Sequence, residues 1–167
     1  MARRVQLGPL VFRDPVLLCG VLYLLLYFDA SGFLRLGLWA AFLHEGGHIL
    51  VYGLLRRRLP IIEVTLTGFC MRTRGEKFSA RQQFWLASAG PAVNFALAAV
   101  WAVRLAQYTT LRGSAFWAAN LLTGAFNLLP LPPLDGAEML GCLLAAKPSP
   151  GRKTAEKDCK TLRFKIK

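Results

Sequence analysis

The sequence predicts an all-α polytopic membrane protein with about four transmembrane helices, a short interfacial β-hairpin and a short C-terminal helix. Three observations support this fold class: 54% of the 167 residues are hydrophobic, only 18% are charged, and the mean hydropathy is +0.40. A soluble domain of this length needs more charge to cover its surface, whereas apolar runs of about 20 residues match a hydrocarbon core of roughly 30 Å.

The positive charge is distributed as in the loops of a membrane protein. The formal net charge is +12, and of the 21 Lys and Arg residues three precede the first apolar run, seven lie between Arg56 and Arg81, and eight lie between Lys147 and Lys167. Basic clusters that alternate with apolar runs are typical of the positive-inside bias, whereas a nucleic-acid surface needs no such division. We therefore expect no nucleic-acid partner, and both termini on the cytoplasmic side of a bacterial cell membrane.

The first two spans are predicted at about 15–30 and 33–55, after a basic cytoplasmic N-terminus at 1–14. The first apolar run is short, and the basic residues before it also fit a signal peptide. We favour an uncleaved helix, because no clean cleavage site follows and the sequence from Asp29 to Gly32 is typical of a turn. The second run is apolar except for Arg35 and a polar stretch near its middle.

The segment at 61–74 predicts a β-hairpin. Ile62, Val64 and Leu66 alternate with polar residues, and a period of two is typical of a strand. A Thr-Gly pair follows, at which the chain can turn back. Since bare strand edges are not tolerated in hydrocarbon, we expect this hairpin at the membrane interface or against the helices.

Two uncharged runs of 22 residues each predict the third and fourth spans, at about 82–104 and 113–131. Prolines break the end of the second run. The next residues, up to Ala146, are too few to cross a bilayer and predict a short helix. The membrane core therefore covers 15–146, and a basic cytoplasmic tail at 147–167 is attracted to an anionic leaflet.

The chain has two histidines, His44 and His48, and they lie four residues apart in the second predicted span. This spacing places both imidazoles on one face of a helix, within reach of one metal ion. Glu45 stands beside the first histidine, where its carboxylate can address a metal-bound water. The HExxH pattern on a helix therefore indicates Zn²⁺ held by two imidazoles, with the glutamate as general base.

The membrane setting strengthens this interpretation, because HExxH also occurs by chance in soluble helices. Inside a bilayer, each ionisable group costs roughly 2.5 to 3.5 kcal/mol on translocon-based scales. Zinc binding returns on the order of 10 kcal/mol, which offsets that cost. We therefore predict one Zn²⁺ per chain.

A catalytic zinc usually has three protein ligands and one open position for water. Of the nine acidic residues, only Glu45, Asp135 and Glu138 lie in the apolar spans or directly at their ends. Asp135 follows a proline-broken segment in which the chain can turn a carboxylate inward. The alternative role for Asp135 is an N-cap of the following helix. Both roles can hold at once, and we favour the ligand.

Three stretches together resemble the site-2 protease family of intramembrane zinc metalloproteases. They are HEGGH in the second span, SAGPAVN in the third, and NLLPLPPLDG after the fourth, and the resemblance covers about residues 10–146. It implies that His44, His48 and Asp135 ligate zinc and that Glu45 activates water. It also implies that Asn127 lies beside the active site and helps to hold the substrate backbone.

The chain departs from the family pattern in two of these stretches. Gly46 stands where a bulkier apolar residue is usual, which weakens the helix by about 1 kcal/mol. Ala137 and Glu138 replace a second glycine and a basic or histidine residue, so Glu138 either acts near the site or faces the headgroups. The compact size resembles the branch that processes a membrane-tethered pro-sigma factor during sporulation, and a regulatory membrane partner is an open alternative.

Gly90, Pro91 and Asn94 are candidate structural residues near the site. Small residues allow helices to approach closely, and asparagine can hydrogen-bond between helices. We interpret Gly90 and Pro91 as packing residues and leave the role of Asn94 open.

The expected partners are the lipid bilayer and a membrane-spanning or membrane-tethered protein substrate. A helical substrate must unwind before cleavage, and the predicted hairpin offers an edge on which an unwound segment can pair as an added strand. Val64 and Leu66 are therefore candidate substrate-binding residues. The alternative to a protease is a catalytically silent metal-binding membrane scaffold or a transporter, although the polar groups converge on one end of the bundle and all four site residues are present.

Overall fold

The computed structural model describes residues 4–65, 68–72 and 78–145. In chain order the elements are β1 (Arg4–Leu7), β2 (Leu10–Arg13), α1 (Pro15–Tyr27), α2 (Phe33–Arg56), β3 (Ile61–Thr65), β4 (Gly68–Arg72), α3 (Ala80–Gln107), α4 (Leu111–Asn127) and α5 (Asp135–Ala145). The prediction of a mainly helical protein with a small β-element and a short helix after the fourth apolar run is confirmed. The predicted basic tail lies outside the described residues.

The four strands form a single sheet in the order β1-β2-β3-β4. The β3–β4 hairpin agrees with the sequence prediction, whereas the β1–β2 hairpin was not predicted. Its turn contains Gly8 at a φ of 61°, a left-handed conformation that glycine adopts without steric strain. The second strand of this hairpin, β2, runs parallel to β3, and Ile62 N donates to Pro9 O at 2.8 Å. The N-terminal segment is therefore an integral part of the sheet.

Strand β3 is paired on both sides. Val64 lies opposite Phe12 of β2 and opposite Phe69 of β4. Within the described sheet β3 therefore has no free edge, and the outer strands are β1 and β4. The free edge of the predicted hairpin is that of β4, and pairing of a substrate with the hairpin stays a prediction. Substrate binding by Val64 stays a prediction, and its side chain alone would have to provide it. Leu66 lies outside the described residues.

Local sequence signals define the N-terminal ends of the two longest helices, α2 and α3. Helix α3 begins with a capping box, in which Ser79 Oγ accepts from Gln82 N at 3.3 Å and Gln82 Oε1 accepts from Ser79 N at 3.1 Å. This arrangement satisfies two backbone donors at the helix start. Before α2, the predicted turn is held by Asp29, whose Oδ2 accepts from Arg35 N at 3.2 Å.

Helix α3 is the centre of the bundle and packs against α2, α4 and α5. A Cβ on Gly47 of α2 would lie 2.7 Å from Ala89 O, so α2 and α3 approach each other at van der Waals distance only because residue 47 is glycine. This close approach lies within the HEGGH stretch and directs it towards α3.

Among the described residues, one helix, α3, is both long and apolar enough to cross a membrane. Helix α1 is apolar but has only 13 residues. Helix α2 has 24 residues, but the polar residues of HEGGH lower its hydropathy. Of the four predicted spans, one therefore corresponds to a described helix, α3, that has the length and the apolar composition needed to cross a membrane.

Candidate metal centre

Three predicted ligand atoms converge where α2, α3 and α5 meet. His44 Nε2 lies 2.9 Å from Asp135 Oδ2 and 3.2 Å from His48 Nε2, and His48 Nε2 lies 3.2 Å from the same carboxylate oxygen. Both histidines are buried, with 4% and 6% of their surface exposed. The structure thus brings together side chains that lie about 90 positions apart in the sequence. A metal site made of His44, His48 and Asp135 requires this convergence.

The hydrogen bonds behind the rings fix the tautomer of each histidine. His44 Nδ1 lies 2.5 Å from Asn94 Oδ1, and His48 Nδ1 lies 2.8 Å from Leu86 O. Because both partners are acceptors, each Nδ1 carries a proton and donates it. Each Nε2 is then left with a lone pair that points to the other two ligand atoms, which is the usual arrangement of metal-binding histidines.

The donor set fits a zinc ion. Two imidazole lone pairs and a carboxylate oxygen meet within 3.2 Å of one another, and such acceptors repel unless a cation lies among them. Two imidazoles and one carboxylate form the ligand set of several catalytic zinc sites. The residues present therefore suit Zn²⁺, with a position left for a further ligand.

Asp135 is the first residue of α5 and reaches the histidines because α5 starts close to the end of α4. A Cβ on Gly136 would lie 2.6 Å from Leu129 O and closer still to Leu128 O. Residue 136 must therefore be a glycine for α5 to begin against the turn that follows α4. This close contact positions the Asp135 carboxylate at the site.

We expect Gly136→Ala to lower the zinc content, because the added methyl group pushes the start of α5, and Asp135 with it, away from the histidines. The matched control is Gly141→Ala in the same helix, where a Cβ would meet nothing within 4 Å. Metal analysis of both purified variants checks the prediction. Equal zinc content in the two variants would show that the Gly136 contact does not position Asp135.

Glu45 lies next to His44 on α2 and is half-buried. Its carboxylate interacts electrostatically with His48, His44 and Asp135. Within the described part of the chain it forms no hydrogen bond, so its oxygens are available to a water at the site. This placement is compatible with a general base.

Gly90 of α3 forms a wall of the metal centre. A Cβ on this residue would lie 2.5 Å from His44 Nε2 and closer still to His48 Nε2. The interpretation of Gly90 as a packing residue is therefore incomplete, because its missing side chain leaves room for the ligand atoms themselves. Pro91 is buried within the continuous helix α3, in agreement with a packing role.

Asn94 and Asn120 form a buried polar network behind His44. Asn94 Nδ2 donates to Ala40 O at 3.1 Å and to Asn120 Oδ1 at 2.9 Å, and neither asparagine is exposed to solvent. The sequence left the role of Asn94 open, and the structure places its side chain in hydrogen bonds with His44, Ala40 and Asn120. Asn120 and the Leu86 carbonyl were not anticipated. Asn120 could have been found from the sequence as an uncharged polar residue inside a predicted span, because such residues usually hydrogen-bond within the helix bundle.

Two further candidates lie around this centre. Asn127 Nδ2 donates to Thr123 O of its own helix at 2.9 Å, which leaves Oδ1 outside that bond. Its predicted contact with substrate stays a prediction. Glu138 Oε2 accepts from Gln83 Nε2 at 3.0 Å, so this carboxylate ties α5 to the start of α3.

Comparison with known proteins gives related sequences and a related fold. No family model matches the chain. A protein of Mycobacterium tuberculosis that carries the name zinc metalloprotease Rip3 is 35% identical over 109 residues, in each of two strains. The match covers 58% of this chain but only 28% of Rip3. The solved structure of a site-2 protease from Methanocaldococcus jannaschii has the same fold, with a TM-score of 0.59 at 21% identity, covering 88% of this chain and 73% of that chain.

Proposed function

We propose that the chain is a member of the site-2 protease family, which it resembles in sequence and in fold, and that it is a zinc-dependent intramembrane endopeptidase. Its substrate would be a transmembrane or membrane-associated protein. The observation that carries this proposal is the convergence of His44, His48 and Asp135 within hydrogen-bond distance of one another. The name of Rip3 supports the same reaction class.

Each site residue has a distinct part in the proposed mechanism. Zinc held by His44, His48 and Asp135 would supply Lewis acidity at the scissile carbonyl. Glu45 takes a proton from the attacking water and later delivers it to the leaving amine. Asn127 Oδ1 accepts a hydrogen bond from a backbone N–H of the substrate, since Asn127 Nδ2 already donates to Thr123 O.

We propose that α1, α2 and α4 accompany α3 across the bilayer. Helix α3 has 28 residues and is therefore about 42 Å long at roughly 1.5 Å per residue. Arg81 and Arg104 bound its uncharged stretch of 22 residues. Helix α1 exposes large apolar side chains, among them Val16 at 80% and Tyr23 at 66%, and such a surface suits lipid contact. Both termini then lie in the cytoplasm of a bacterial cell.

An unwound substrate segment would add to an outer strand of the sheet. Strand β3 is paired on both sides within the described sheet, and β4 contacts the metal-binding helix α2. The outer edge of β4 is therefore the proposed docking edge, because among the described residues no further strand pairs with it and it lies close to α2.

We expect wild-type protein to bind one zinc ion per chain and Asp135→Ala to lose it during purification, because two imidazoles alone leave an incomplete ligand set. Metal analysis of the detergent-solubilised full chain measures this. The matched control is Glu138→Ala, which removes a carboxylate from the same turn of α5 but not from the ligand set. Zinc binding by Asp135→Ala at the wild-type level would overturn the proposed centre.

A further inference from the structure

We propose that Asn120 is a positioning residue that acts through Asn94 to fix the tautomer of His44 at the metal centre. The inference deepens the proposed function and rests on it for the identity of the centre. It concerns a side chain on α4, a helix that supplies none of the ligand atoms. Asn120 is not exposed to solvent, and neither is Asn94.

An unbroken chain of hydrogen bonds joins the backbone of α4 to the His44 ring. Asn120 Nδ2 donates to Phe116 O at 2.9 Å, and Asn120 Oδ1 accepts from Asn94 Nδ2 at 2.9 Å. Asn94 Oδ1 then accepts from His44 Nδ1 at 2.5 Å. A Cβ on Gly124 would lie 3.2 Å from Asn94 Cβ, so α4 approaches α3 closely enough for this chain to form.

The donor and the acceptor of each hydrogen bond in this series can be assigned by starting from Phe116 O, where the series ends. The Phe116 carbonyl can only accept, so the Asn120 atom beside it is the amide nitrogen and Oδ1 faces Asn94. The Ala40 carbonyl, 3.1 Å from Asn94 Nδ2, imposes the same orientation on Asn94. Both N–H groups of the Asn94 amide are therefore used, one by α2 and one by α4.

The orientation of Asn94 decides whether His44 can bind a metal. If the amide were rotated by half a turn, its NH₂ group would face His44 Nδ1, which would have to accept. The ring proton would then lie on Nε2, the atom that faces Asp135 and His48, and that atom could not coordinate an ion. Rotation would also leave buried donors and acceptors unpaired, at a cost of about 1–3 kcal/mol for each group. Asn120 supplies one of the two acceptors that prevent it.

The test uses Asn120→Leu, which keeps the size of the side chain and removes the acceptor, and Asn120→Asp, which restores an oxygen acceptor for Asn94. Each full-length variant is labelled with ¹⁵N-histidine, placed in lipid nanodiscs and examined by NMR before and after zinc is added. The chain has two histidines, and His48 is an internal control because its Nδ1 donates to Leu86 O outside the network.

We expect the ring nitrogen signals of His44 in Asn120→Leu to shift towards a mixture of tautomers before zinc is added, while the Nδ1 signal of His48, which donates to Leu86 O, stays at its wild-type position. Zinc affinity, measured by competition with a chelator, should fall by about tenfold, the lower end of the effect of outer-shell partners. Asn120→Asp should recover the wild-type His44 signals.

Unchanged His44 signals in a folded Asn120→Leu variant would overturn the inference, and so would equal shifts of both histidines, since these would indicate a packing role alone. Failure of the proposed function would be seen as an absence of peptide-bond cleavage, which is independent of the His44 NMR signals. A chain that cleaves no peptide bond could still show the selective His44 shift, whereas a wild-type chain that binds zinc and cleaves could still lack it.

Discussion

Glu45→Gln should abolish peptide-bond cleavage and leave zinc bound. The substitution keeps the shape of the side chain but removes its ability to take a proton from water. His44, His48 and Asp135 keep their positions, because Glu45 forms no hydrogen bond with them within the described residues. General acid–base catalysis contributes about 10²- to 10⁴-fold to a rate, so we expect a loss of at least about a hundredfold. Fluorogenic single-span peptides in proteoliposomes report cleavage, and metal analysis reports zinc.

The matched control for this prediction is Glu138→Gln, the same chemical change at a carboxylate that lies three residues after Asp135 and accepts from Gln83. It should retain most of the wild-type rate. Cleavage by Glu45→Gln at the rate of the control would remove Glu45 from the mechanism. If neither variant nor the wild type cleaved any peptide while all bound zinc, the chain would be the scaffold or transporter that we considered as the alternative.

The convergence of His44, His48 and Asp135 could be predicted from sequence because most of its geometry is local. Two histidines four residues apart on a helix must share a face, whatever the helix packs against. Asp135 could be added because few acidic residues lie in or beside apolar segments and because prolines break the chain before it. The structure brings these three side chains together through contacts of Gly47 and Gly136 that the sequence alone did not reveal.

The contacts that could not be predicted are non-local. Strand β2 pairs with β3 in parallel, although about 50 residues separate the two strands. A strand of four residues is too short for its hydrophobic pattern to predict which strand it pairs with. The Asn94–Asn120 bond depends on how α3 and α4 are rotated against each other. Hydropathy predicts that an apolar helix is present, but it does not predict how α3 and α4 are rotated about their axes relative to each other.

Gly90, in the SAGPAVN stretch of α3, shows the same limit of sequence-based prediction at one position. A small residue in an apolar helix indicates close packing, and the sequence does not say against what. In the structure the neighbours of Gly90 are the two imidazoles. The physical reason for a glycine is therefore the space that the ligand atoms need, which makes this position a test of the centre.

Gly90→Ala should eliminate zinc binding and, with it, activity. A Cβ on Gly90 would lie 2.5 Å from His44 Nε2 and closer still to His48 Nε2, so the methyl group would occupy space that an ion needs to reach both nitrogens. The backbone cannot yield easily, because Gly47 already holds α2 against α3 at Ala89. Metal analysis of the purified variant should find less than about a tenth of the wild-type zinc, in keeping with the loss caused by disturbing ligand positions.

The control is Gly53→Ala in α2, where a Cβ would meet nothing within 4 Å. Alanine should stabilise that helix by about 1 kcal/mol and leave zinc in place. A thermal melt of each variant separates the loss of the ion from loss of the fold. If Gly90→Ala bound zinc as tightly as Gly53→Ala, α2 and α3 would have to be able to move apart without disturbing the ligands. The tight packing of the two helices would then not be what shapes the site.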